Sequence, residues 1–232
     1  MNRVVWTSAL ALAIALPVAG AEEENPVKEA LQKLNDYIGS WKGAGGPDKT
    51  SEPANWTENV SWGWRFKGDM ALIAEFKDSK YFKKAEMTYV ADKKKYQLTF
   101  IDKKDAKQVF QGELNKKGYL NMERLDAKSG ETFRIQMNTA AEGLRFNYTM
   151  YRKNKGSTVF NEMYKVACGK EGESLAGGGK QRECVVTGGL GTIAVSFGGK
   201  TYYVCCSGCR DAFNENPEKI IKEYEAKKKK GE

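Results

Sequence analysis

Three cysteines near the C-terminal end of this 232-residue chain are spaced like a set of metal ligands: Cys184, twenty residues, Cys205, three residues, Cys209. The chain has no histidine. A metal site here is therefore built from thiolates, with carboxylate, thioether or water to complete it. Thiolates select soft or borderline ions such as Cu(I) and Zn(II). Cys209 falls where a helix begins, and helix N-terminal amides favour a thiolate, so it is expected to ionise easily. Three thiolates give a trigonal site suited to Cu(I), or leave a fourth position open for exchange; four would give a closed structural zinc site. Cys206 is the candidate fourth ligand. If a strand runs through it, its side chain points away from that of Cys205, so a fourth ligand and a buried apolar cysteine are both open readings. A disulfide among the three is the alternative in an oxidising compartment.

The elements around these cysteines are short. Ile193, Val195 and Phe197 alternate, Gly198-Gly199 makes a hairpin turn, and Thr201 to Cys205 is the return strand. Ser207 is expected to cap a helix running through Phe213, with Asp211 in its first turn. Asn216-Pro217-Glu218 starts a second helix, whose apolar face is Ile220, Ile221 and Tyr224. A unit of under fifty residues buries too little surface to fold easily alone. It needs a metal or disulfides as a staple.

The residues Cys184-Val185-Val186-Thr187-Gly188, Gly199 through Cys209, Phe213 and Asn216-Pro217-Glu218-Lys219 resemble the TRASH/YHS family of small metal-binding modules. The resemblance covers residues 184–224, and Val185 stands where the family commonly has proline. It implies a treble-clef-like hairpin and helix, with Cys184, Cys205 and Cys209 as ligands. It also implies a role in heavy-metal sensing, trafficking or resistance.

The longer front part has a different period. Val27, Leu31, Leu34 and Ile38 lie at helical spacing, with Pro26 in a first turn. The period then becomes two, as in Val60-Trp62-Trp64-Phe66, Tyr96-Leu98-Phe100 and Phe146-Tyr148-Met150. Short polar or glycine turns separate about ten such strands. Alternation without crossover helices predicts antiparallel sheet, and so many strands are expected to close into a barrel. The helix, Gly39-Ser40-Trp41 and the strand meander over residues 25–166 resemble the lipocalin-like barrels. That resemblance implies a pocket for a small apolar ligand. Some small relatives bind haem through histidine, which this chain cannot do. The expected fold is thus mainly β: an up-and-down lipocalin-like barrel over residues 22–166, a linker over 167–183, and a small hairpin-helix module over 184–232. The linker is glycine-rich, and Cys168 sits at its start. From there Cys168 could swing in as a ligand, pair with a spare cysteine or stay free.

Residues 1–21 read as a secretory signal peptide: Arg3, an apolar run from Val4 to Val18, and the small-x-small Ala19-Gly20-Ala21. The run is too short for a membrane span. Export to a periplasm or the outside is the expected location. The net charge is +8 at a sequence isoelectric point near 9.1. It is spread as scattered lysine plus the tail Lys227–Lys230, which reads as a solvated surface rather than a nucleic-acid face. No cysteine–base pair of the kind a nucleophilic enzyme needs is visible. The Cys206–Cys209 spacing lacks the βαβ setting of a redox motif. The expectation is a binding protein holding one copper or zinc ion, with no enzymatic activity and with a metal-exchanging protein as a further partner.

Overall fold

A computed structural model describes residues 25–47, 56–172 and 182–230. The signal-peptide segment and most of the glycine-rich stretch lie outside the described residues. Helix α1 (Pro26–Gln32) is started by Asn25, whose side chain accepts from the amides of Val27 and Lys28, with Pro26 in the first turn. The helix is shorter than its apolar spacing suggests. It gives way to a 3-10 turn over Asn35–Tyr37, where the Asn35 side chain is committed to tertiary hydrogen bonds. Leu31, Leu34 and Ile38 are all buried, as their spacing requires.

Ten antiparallel strands follow: β1 (Gly39–Pro47), β2 (Trp56–Arg65), β3 (Ala71–Asp78), β4 (Phe82–Val90), β5 (Lys95–Asp102), β6 (Lys107–Leu114), β7 (Leu120–Leu125), β8 (Thr132–Ala140), β9 (Arg145–Lys153) and β10 (Asn161–Lys170). Each pairs with its sequence neighbours, and β1 closes the barrel by pairing with β10. Closure leaves no long edge exposed. The period-two residues point inward: Val60, Trp62 and Trp64 from β2, for example, or Phe146, Tyr148 and Met150 from β9. Aromatic rings fill much of the interior. Phe82 and Phe100 stack at 3.9 Å, and Trp41 lies 5.5 Å from Phe146 while its indole N–H donates to the Tyr37 carbonyl at 2.7 Å.

The barrel runs further than residue 166. β10 continues to Lys170, and its inward positions Tyr164, Val166, Cys168 and Lys170 are all buried. The small Ala167 and Gly169 that suggested a linker face β1, and Gly43 is needed opposite Cys168 because a Cβ there would collide with the Ala167 carbonyl. Cys168 is therefore a barrel-core thiol, not a mobile ligand. Burial, with Glu58 nearby, pushes its thiol up to about 12. It is expected to stay unmodified by a water-soluble thiol reagent in the folded protein and to react on unfolding. Modification of Cys168 at the rate of an exposed thiol would contradict this placement.

Glu58 is the buried carboxyl of this interior. It accepts from Tyr148 Oη at 2.7 Å and from the Trp56 indole at 2.9 Å. Desolvation by burial raises it above the usual carboxylate range, against those hydrogen bonds. The neutral form thus favours the fold. Its stabilisation is complete below the unfolded value near 4.5 and is lost as pH rises through the folded value. Against Glu58→Gln, which does not titrate, the wild-type chain should lose urea stability as pH is raised through that window. Parallel behaviour of the two would contradict it.

Candidate metal centre

The second unit is a two-stranded sheet, β11 (Ile193–Phe197) and β12 (Lys200–Val204), followed by α2 (Ser207–Glu215) and α3 (Pro217–Lys230). Gly198 and Gly199, at φ of 58° and 75°, make the expected hairpin turn. The side chain of Asn216 accepts from the Lys219 amide and so caps α3. Phe213 and Val204 form the small core, with Tyr202 5.8 Å from Phe213. Lys227–Lys230 continue α3 rather than forming a loose tail.

These elements bring three sulfurs together. Cys184 opens a turn in which the Gly188 amide bonds back to the Cys184 carbonyl, and Gly188 supplies the required positive φ of 77°. A bridge to Tyr203 holds Cys184 beside β12. Cys205 follows the end of β12, and Cys209 is the third residue of α2. The sulfurs of Cys184, Cys205 and Cys209 all lie within 4.8 Å of one another, and the residues are buried. Cys205 and Cys209 are 3.4 Å apart. Bonds of about 2.3 Å to one ion place sulfurs about 3.8–4.0 Å apart, so the donor set fits a soft metal with small adjustments. All five cysteines are free thiols.

Cys206 differs from the expectation. β12 ends at Val204, so the strand alternation that would turn Cys206 away stops before it. Cys206, not Ser207, holds the cap position of α2, and Asp211 lies beyond the first turn. The Cys206 sulfur is 4.0 Å from that of Cys205 and accepts the backbone N–H of Trp64 at 3.3 Å. It stands outside the set formed by the other three.

The thiols share protons unequally. Hydrogen bonds from Cys205 and then Cys209 draw Cys184 down to about 2. Cys205, with Cys209 and the Trp64 amide, draws Cys206 down to about 3. The donors Cys205 and Cys209 are pushed up instead, each first by its bond to Cys184. Easy ionisation of Cys209 is thus corrected: its proton is held by Cys184, and this outweighs the helix N-terminus. A bound metal must displace the protons of Cys205 and Cys209, so affinity is expected to rise with pH. Calorimetry of metal binding near pH 7 in two buffers of different ionisation enthalpy should show proton release; heats independent of the buffer would contradict it.

Sequence reasoning missed the barrel's part in this site. Asn35 Nδ2 donates to the Thr187 carbonyl at 2.7 Å, and the Trp64 indole donates to Asn35 Oδ1 at 3.2 Å. The Thr187 hydroxyl lies 3.5 Å from the Cys205 sulfur. Gly208 packs on the Trp64 carbonyl so closely that any Cβ would collide with it. Only Thr187 had a signal, as part of the stretch after Cys184. Asn35 and Trp64 read as ordinary helix and strand residues.

No family model matches the chain, and no curated protein matches it. Among solved structures it is similar to that of Rv2717c from M. tuberculosis, at 14% identity and a TM-score of 0.43. The similarity covers 61% of this chain and 97% of that one.

Proposed function

We propose that the chain is an exported binding protein, periplasmic or secreted, that holds one soft or borderline heavy-metal ion, copper or zinc. Cys184, Cys205 and Cys209 are the resident ligands, and the role is sequestration, trafficking or resistance. It is a carrier, not an enzyme, and it serves a metal-exchanging protein rather than nucleic acid. Among the described residues no helix is long and apolar enough to cross a membrane. The observation that carries the proposal is the convergence of three buried sulfurs from three separate positions in the chain. The resemblance of residues 184–224 to TRASH/YHS modules points the same way. Burying three thiols together, without a disulfide, is the arrangement a soft ion would use.

The test is metal content together with thiol count, on residues 22–232 prepared without oxygen. The expected result is about one equivalent of copper or zinc, lost when Cys184, Cys205 and Cys209 are all serine. No metal bound, and none taken up on addition, would overturn the proposal.

One observation favours a second reading, a barrel that carries a small amphipathic ligand. A cavity of about 410 Å³ at the barrel mouth is lined by Tyr81, Phe82, Met150 and Tyr164, with Lys103 and Arg124 also on its wall. On that reading, removing the metal leaves binding of a fluorescent fatty-acid probe intact.

A further inference from the structure

We propose that Cys206 is an exchange ligand: it captures incoming metal and passes it to Cys184, Cys205 and Cys209, without holding the metal at rest. This rests on the thiolate-site reading above. Cys206 stands beside the three-sulfur set and not in it, 4.0 Å from Cys205. It is also the outermost of the four cysteines. Cys184 and Cys209 are 0% exposed, Cys205 4% and Cys206 8%. By residue exposure Cys206 is thus the least buried of the four.

The barrel keeps Cys206 in that position. β1 begins at Gly39, which pairs with Trp62, so β2 extends beyond its neighbour and leaves the Trp64 backbone without a strand partner on that side. Cys206 takes the place of the missing strand by accepting the Trp64 N–H at 3.3 Å. A buried amide without an acceptor is costly, so the sulfur is held toward β2. On the same side Gly63 offers no side chain; a Cβ there would lie 3.7 Å from the Cys206 sulfur, in ordinary contact. At 4.0 Å from the Cys205 sulfur it already stands at about the spacing of two thiolates on one ion.

The exchange balances without redox change. As the Cys206 sulfur–metal bond forms, one donor-ligand bond to the metal breaks. Bonds from Cys205, Cys209 and Cys184 then replace the remaining donor bonds and finally the bond to Cys206. Protons still on these thiols pass to water, and the metal keeps its oxidation state. Three soft thiolates satisfy Cu(I) in a trigonal site, so Cys206 is free to return to the Trp64 amide.

The experiment compares wild type with Cys206→Ser, which retains an acceptor for Trp64, and with Cys206→Ala. All are the reduced full mature chain, checked for unchanged circular dichroism. Stopped-flow absorbance follows Cu(I) leaving its coloured bicinchoninate complex, and equilibrium competition with the same chelator gives affinity. The expected result is a transfer rate lowered about tenfold or more in both variants, ~1.36 kcal/mol in the barrier, with the affinity unchanged. An affinity loss as large as the rate loss would make Cys206 a resident ligand and overturn the proposal. Unchanged rates in both variants would overturn it too, leaving the three-cysteine site standing. Wild-type chain that takes up no Cu(I) overturns the site and its exchange ligand together.

Discussion

Cys209→Ser is expected to lower affinity for a soft metal about 100- to 1,000-fold, since thiolate zinc sites bind with ~10–16 kcal/mol shared among about four ligands. Cys209 is fully buried, 3.4 Å from the Cys205 sulfur, and is fixed by the first turn of α2. A serine oxygen there is a harder donor that keeps its proton, so the site drops to two sulfurs. The metal-free fold should survive, because the hydroxyl can still donate to a neighbouring sulfur and the module keeps its own Phe213 core. Cys168→Ser is the matched control. It removes a thiol from the barrel interior and should leave metal affinity unchanged, as sites without shared partners act independently. Competition against a chromophoric chelator measures both. Equal losses in the two variants would mean that the cysteines act through general stability instead of ligation.

Gly208→Ala should partly detach the small module from the barrel, at a cost of about 2–6 kcal/mol. The first residues of α2 lie against β2 so closely that a methyl group at 208 collides with the Trp64 carbonyl. Backbone, not a flexible side chain, is the obstacle, so the helix must move. Overpacking of this kind costs ~1–3 kcal/mol, and withdrawing Cys206 from the buried Trp64 amide adds ~1–3 kcal/mol. Asn35 would lose its hold on Thr187 by the same shift. Hydrogen exchange is the direct measurement: the Trp64 amide should lose protection, while strand amides far from the module, such as those of β6 and β7, keep theirs. Unchanged protection at Trp64 would show that the contact contributes nothing to docking.

The barrel was legible because its code is local. Alternation at Tyr96-Leu98-Phe100 or Phe146-Tyr148-Met150 sets an inward face residue by residue, and the turns between are short. The convergence of Cys184, Cys205 and Cys209 was legible by spacing, since a hairpin and a helix start leave few ways to arrange them. Three things were not legible. Cys168 was hidden because Ala167 and Gly169, on the outer face of β10, read as linker composition, although both lie in register with β1. The setting of Cys206 depends on β12 stopping at Val204, one residue before the cysteine pair, and end points of strands are weakly encoded. The contribution of Trp64, Asn35 and Gly208 is tertiary. It arises because β2 outruns β1, and nothing within either segment announces which later residues will meet that overhang.

The proton distribution teaches a related point. From the sequence, a helix N-terminus was the only influence on Cys209. In the folded cluster the neighbouring sulfurs dominate: hydrogen bonds from Cys205 and Cys209 draw Cys184 down, and the bond to Cys184 pushes Cys209 up. On the proposed reading the distinction bears on function, because metal binding at neutral pH would then release the protons of Cys205 and Cys209.

Metal-edge X-ray absorption on the full mature chain, loaded with one equivalent of Cu(I) under argon, tests the central claim most directly. The account predicts a shell of about three sulfurs at about 2.3 Å, falling by one in Cys209→Ser and unchanged in Cys168→Ser. A shell dominated by nitrogen or oxygen, or one that the Cys209 change leaves intact, would contradict it.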